Sequence, residues 1–288
     1  MYSLELESRI DKILHDRGIS STVHVSSNRF ISDFKAYLCY YDCTTQGNAE
    51  TTIELLKDKN NLTPCSVFKN NFRKSLDELI PTRLKDDPIF YALFKKLLSN
   101  KGKGVGIGEL VLPLIIADYT FSNKSDGEWL NNKAEIKKDG ASLKPIKTGL
   151  TKKGLVDDLV KEFFNGCPPG YVQKKQFNDH LDNVDPTVYS KFFSQLYPGC
   201  DTSRLAHEVE QCYTDAVKFN TAVGKFALRE YQQVDKWTNI LYIKEETFEV
   251  VNITNVDDID DLNLKFTPKF CRGKDTQAIA DGYVNVKI

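Results

Sequence analysis

Residues 126–140 read Asp-Gly-Glu-Trp-Leu-Asn-Asn-Lys-Ala-Glu-Ile-Lys-Lys-Asp-Gly, and the fold assignment turns on them. Two short segments, Asp126-Gly-Glu-Trp-Leu and Ala134-Glu-Ile-Lys-Lys, flank Asn131-Asn132-Lys133. Asparagine tolerates the left-handed backbone that tight turns need, so the stretch predicts a β-hairpin. Glu135 and Lys137 stand two apart, and side chains two apart on a strand share a face. Asp126 opens the neighbouring strand, which brings its carboxylate within reach of a cation that Glu135 could also bind. Two carboxylates sharing a site repel each other, and a divalent metal relieves that repulsion. A lysine beside such a metal can orient a water and stabilise charge developing on a phosphate. Structural alternatives stay open at each position. Glu135 and Lys137 could form a solvent-facing pair, and Asp126-Gly127 could be only a turn. Glu128 shares the strand parity of Asp126 and could replace it as a ligand. Asp139-Gly140 predicts a further turn.

Upstream, Gly102, Gly104, Gly106 and Gly108 alternate and stop at Glu109, before an apolar helix or strand from Leu110 to Tyr119. The glycines lack the Gly-Lys-Ser/Thr of a P-loop and the preceding strand of a dinucleotide fingerprint. They read as a loop from which the Glu109 helix starts. Glu109 is either a further acid of the site or a first-turn acid that suits the helix dipole. Downstream, Lys133, Lys137, Lys138, Lys144, Lys147, Lys152 and Lys153 face only Glu135 and Asp139. That lopsided charge suits a phosphate track, with Lys138, Lys144 and Lys147 as candidate nucleic-acid contacts; an ordinary solvated lysine face is the alternative. Trp129 and Trp237 read as core rather than as platforms for stacking bases.

The rest of the chain alternates blocks. Residues 1–100 read mainly as helices: Leu4, Leu6, Ile10, Ile13 and Leu14 recur at helical spacing, followed by Phe30–Tyr41 and Thr52–Asp58. Ser75-Leu76-Asp77-Glu78 starts a helical turn that Pro81 ends. Asp87-Pro88 has the form of an N-cap followed by proline at the first helical position, opening a helix from Ile89 to Leu98. Residues 151–230 are helical again, with Leu155, Leu159, Phe163 and Phe164 on one stripe and Pro168-Pro169-Gly170 as a break. Phe177–Leu181, Val188–Leu196 and Arg204–Tyr231 are further helical candidates. Strand patterning returns in Trp237–Lys244, Thr247–Ile253, Leu262–Phe266 and Tyr283–Ile288. The expected organisation is a helical N-terminal region (1–100) followed by a core (101–288) with a helical insertion at about 151–230, an α/β (mixed α+β) chain.

Composition narrows the function classes. The chain has 288 residues, with Lys+Arg 39 against Asp+Glu 40 and a net charge of −1. That excludes a histone-like polycation but not a local basic face. Hydrophobic residues at 41% and charged ones at 27% suit a folded chain with a core rather than a disordered one. The seven cysteines include no CxxC pair and the four histidines no HxxxH or HExxH pattern, which argues against a zinc site and for buried thiols. The longest apolar run, Leu110–Ala117, is interrupted by Pro113 and falls well short of the ~20 residues that span a bilayer. With no signal-peptide core at the N-terminus, the expected location is intracellular (cytoplasmic) or a virion assembled inside a cell, with no membrane partner. In that setting the sequons at Asn61, Asn123 and Asn252 carry no glycan.

The pattern Asp126 … Glu135-Ile136-Lys137, preceded by Glu109 in Gly-Ile-Gly-Glu, resembles the PD-(D/E)xK nuclease superfamily, which includes restriction endonucleases, Holliday-junction resolvases and phage-encoded nucleases. The resemblance covers roughly residues 104–147, with the strands at 237–253. It implies a restriction-endonuclease-like mixed sheet flanked by helices, and Mg²⁺-dependent cleavage of DNA with Mn²⁺ able to substitute. By the resemblance, Asp126 and Glu135 bind the metal, Lys137 serves the attacking water, and Glu109 is the extra acid of the first core helix. The large helical blocks leave two other expectations open. One is a phage virion structural or assembly protein on a nuclease-like fold, with virion partners. The other is a type II restriction endonuclease acting as a homo-oligomer.

Overall fold

The computed structural model describes residues 4–19, 25–45, 48–98, 107–122, 125–145, 154–165, 185–244, 246–270 and 281–288. In chain order the helices are α1 (Leu4–Asp16), α2 (Val25–Thr45), α3 (Asn48–Lys57), α4 (Thr82–Lys85), α5 (Pro88–Leu98), α6 (Ile107–Ile115), α7 (Leu155–Phe164), α8 (Val188–Leu196), α9 (Ser203–Glu210) and α10 (Ala216–Asp235). The strands are β1 (Thr63–Pro64), β2 (Phe72–Ser75), β3 (Ile116–Ala117), β4 (Gly127–Trp129), β5 (Asn132–Lys138), β6 (Ser142–Leu143), β7 (Asn239–Lys244), β8 (Glu249–Ile253), β9 (Lys265–Pro268) and β10 (Val284–Lys287). The chain is therefore mixed α/β. It divides into two compact units, residues 1–139 with 237–255, and residues 140–236 with 256–288. The expected boundary at residue 100 has α5 and α6 on either side of it, and both pack together in the first unit. No helix among the described residues is long and apolar enough to cross a membrane.

The first unit is a five-stranded sheet in the order β2-β8-β7-β5-β4. Within that sheet β5 and β7 run parallel and the other neighbours antiparallel; β1 and β3 form a separate parallel pair. Ala134, Ile136, Leu241, Ile243 and Val250 join one continuous core with residues of α1, α2, α3, α5 and α6. Helical spacing explains the layer: Leu6, Ile10, Ile13 and Leu14 of α1 are buried, as are Phe30, Phe34 and Leu38 of α2, while Leu4, counted in the first stripe, is exposed. Gly108 lets α6 sit close to the sheet, because a Cβ there would lie 2.0 Å from Ile243 Cδ1. Asp87 caps α5 as its sequence predicts, accepting from the N–H groups of Ile89 and Phe90 at 2.9 and 2.8 Å. The buried Thr52 hydroxyl donates to the same carboxylate. Ser75 and Glu78 form a reciprocal capping box over a single 3₁₀ turn, Asp77–Leu79.

The second unit has a three-stranded antiparallel sheet, β6-β10-β9. Against it packs α10, and a cluster of rings from α7, α8 and α10 includes Phe164, Phe192, Phe193 and Phe219. The helical stretch expected from Arg204 to Tyr231 is two helices, because Asp215 takes the N–H groups of Val217 and Lys218 and starts α10 afresh. The candidate helix Phe177–Leu181 lies outside the described residues.

Candidate active site

The hairpin forms with its turn one residue earlier than the asparagines suggest. Leu130 and Asn131 occupy the left-handed region at φ 44° and 67°, a two-residue turn whose twist suits paired strands. Asn132 and Lys133 are thereby strand residues, and the register is Trp129↔Asn132, Glu128↔Lys133 and Gly127↔Ala134. Continued by one step, that register sets Asp126 opposite Glu135. On the other side β5 pairs with β7, placing Glu135 beside Ile240 and Lys137 beside Tyr242. Alternation then separates two faces. Ala134 and Ile136 enter the helical core, and Glu135 and Lys137 project from the opposite face.

Asp126, Glu135 and Lys137 come together. The Ile136 N–H donates to Asp126 Oδ2 at 2.8 Å, which fixes the aspartate across the hairpin. The Lys137 ammonium contacts Glu135 Oε1, and Glu135 is buried. Burial, first, and then the neighbouring Glu135 charge push the Asp126 carboxyl up to about 6, against the opposing effects of the Ile136 N–H and Lys137. A side-chain hydrogen-bonding effect of Glu135 adds a smaller upward push. Glu128 takes a different part: the hydroxyls of Ser122 and Ser125 donate to its Oε1 at 3.0 and 2.6 Å, bracing the loop before β4.

Glu109 lies in the first turn of α6. Its charge and that of Asp126 both raise the pKa of Tyr119, after the larger effect of burial. Among the described residues no group of three or more His, Cys, Asp or Glu is placed to hold a metal. Lys138 is exposed at the end of β5. Lys144 belongs to the second unit, with its ammonium 5.6 Å from the centre of the Tyr283 ring. Lys147, Lys152, Lys153 and the glycines before Ile107 lie outside the described residues.

One residue unmarked by the sequence helps shape the site. Tyr119 is fully buried, and its hydroxyl has no hydrogen-bond partner among the described residues. Its ring packs against Trp129 and Phe68, with centroids 5.7 and 5.5 Å away. Trp129 is thus core, as expected. The Tyr119 hydroxyl fits only because residue 127 is glycine: a Cβ there would lie 1.7 Å from the phenolic oxygen. Asp126-Gly127 is therefore a packing requirement beside the acid pair rather than a turn. The sequons at Asn61 and Asn252 are closed to glycosylation in this fold, since both side chains are buried and hydrogen-bonded. Cys39 and Cys65 are buried thiols, neither in a disulfide. Comparison with protein-family models, with curated proteins and with solved structures finds no match.

Proposed function

We propose that the first unit is the core of a Mg²⁺-dependent DNA endonuclease with a restriction-endonuclease-like fold, in which Asp126 and Glu135 are the cation ligands. One observation carries the reading. The carboxyl of Asp126, just before β4 and partly buried, lies opposite the buried Glu135 of β5, with a lysine two residues along the same strand face. Carboxylate oxygens suit Mg²⁺ and Mn²⁺, and a bound dication would offset the Glu135 repulsion that, after burial, raises the Asp126 pKa. When bound, the cation would supply positive charge to a phosphodiester and acidify a water.

The chain's own residues do the rest. The Ile136 N–H holds Asp126 in one orientation, and the Lys137 contact does the same for Glu135. Lys137 would orient the reacting water through its ammonium and stabilise the negative charge that develops on the phosphate. Glu109 enters as a further acid whose charge, with that of Asp126, acts on Tyr119. Lys138, Lys144 and Lys147 are the proposed contacts to DNA phosphates.

The test is cleavage of supercoiled plasmid and of branched and single-stranded oligonucleotides in Mg²⁺, Mn²⁺ or EDTA. Metal-dependent nicking that Lys137→Ala slows by about a hundredfold or more, with the fold intact by circular dichroism, supports the reading. Folded wild type that cuts none of the three substrates in either metal overturns it.

A further inference from the structure

A concavity in the first unit lies apart from the acid pair. Its volume is about 480 Å³, within the range of small-molecule sites. Its walls come from α1, α3, the turn that follows α3, and the connection from β3 to β4; Asp126, Glu135 and Lys137 take no part. Ile13, Leu56 and Tyr119 make a buried apolar floor, and the exposed Leu130 of the hairpin turn forms a lip.

The charge around that floor is unbalanced. Lys12, Arg17, Lys57 and Lys59 face only Asp16 and Asp118. Lys12 and Lys59 meet those two acids, and Lys57 meets Glu54, in exposed pairs that hold weakly and can turn to another anion. Arg17 differs. It is 7% exposed, and its guanidinium donates to the carbonyls of Leu56 at 3.1 Å and Ile116 at 3.5 Å. Among the described residues no carboxylate reaches ion-pair distance of it. The charges of Asp118 and Asp16 act on this guanidinium without pairing with it, and with its bonds going to carbonyls it keeps N–H donors that can take a phosphate or carboxylate.

We infer that this cavity binds a small organic phosphate monoester whose ring or other flat apolar body lies on the Ile13–Leu56 floor, with its anionic end drawn by Arg17 and the three lysines. The inference does not depend on the acid pair, so it is tested in EDTA. Isothermal titration of the full chain would use 1-naphthyl phosphate, thymidine monophosphate, 1-naphthol and inorganic phosphate. The expected result is saturable 1:1 binding of at least one of the two esters, with naphthol and inorganic phosphate weaker by about tenfold or more. Preference for thymidine monophosphate would identify the source as nucleotide, and preference for the naphthyl ester a non-nucleotide one. The doubly substituted Lys12→Gln/Lys57→Gln protein and, separately, Leu130→Asp should weaken the favoured ester by about five- to tenfold, with circular dichroism unchanged. These surface changes avoid Arg17, whose loss would disturb the fold. No saturable binding of either ester, equal binding by naphthol, or unchanged affinity in both variants would overturn the inference.

Discussion

Asp126 holds its site at a cost that pH reveals. Its folded pKa of about 6 stands above the ordinary 3.8, so between those values the folded chain binds more protons than the unfolded one. The stabilisation from the protonated Asp126 carboxyl is complete below pH 4 and is lost as pH rises through 6. The shift corresponds to roughly 3 kcal/mol in metal-free buffer. Asp126→Asn keeps an acceptor for the Ile136 N–H and removes the charge. Urea denaturation in EDTA should show the variant within about 1 kcal/mol of wild type at pH 4 and more stable by roughly 1–3 kcal/mol at pH 8; a variant weaker at both pH values would contradict this account. Gly127→Ala carries the opposite sign. A methyl group in the space of the Tyr119 hydroxyl should lower stability by about 1–3 kcal/mol, read from the same denaturation curves. The acids and Lys137 were legible in the sequence because strand parity and one turn suffice to join them. Tyr119 was not, because its approach to Gly127 runs through packing with Phe68 and Trp129, which no local spacing encodes.

Among the elements, local chemistry determined what could be foreseen. The Asp87-Pro88 signal predicts α5 because capping is settled within three residues, and Asp87→Ala should cost about 2 kcal/mol or more by leaving those N–H groups and the Thr52 hydroxyl short of an acceptor, measurable as a lowered urea midpoint. The hairpin was likewise foreseen, with its turn displaced by one residue because Leu130 accepts a left-handed backbone that composition alone assigns to asparagine. Strand β2 was missed inside a block that reads as helical. It is held from a distance: Asn252 of β8 donates to the carbonyls of Phe68 and Asn70 at 3.2 and 2.8 Å, and Arg73 forms a two-pronged ion pair with Glu249. Pairing with residues more than 170 positions away leaves no periodic trace in a four-residue segment.

For the whole molecule, the order of the chain matters more than its composition. Strand β5 receives its parallel neighbour β7 only after the chain has traversed residues 140–236 of the second unit. The face carrying Glu135 and Lys137 is thus completed by Ile240 and Tyr242 from the far side of that excursion. A chain ending at residue 236 lacks β7 and β8, and should lose the cooperative thermal transition and the near-ultraviolet dichroism of the packed Phe68–Tyr119–Trp129 group. Retention of both would show that the hairpin and helices stand without the central strands. The strands returning after residue 237 were legible; the division into two interleaved units was not, because it depends on which segments pack together. The proposed nuclease requires the acid pair to be a cation site. The most direct measurement is Mn²⁺ binding, followed by the loss of its free electron-paramagnetic-resonance signal, at pH 7.5 and pH 5 for wild type and an equally folded Glu135→Ala. The account predicts saturable binding at pH 7.5, at least about tenfold weaker at pH 5 as Asp126 is protonated, and weakened about tenfold or more by the substitution. Saturable binding that ignores both pH and Glu135, or no binding to folded wild type at pH 7.5, would contradict it.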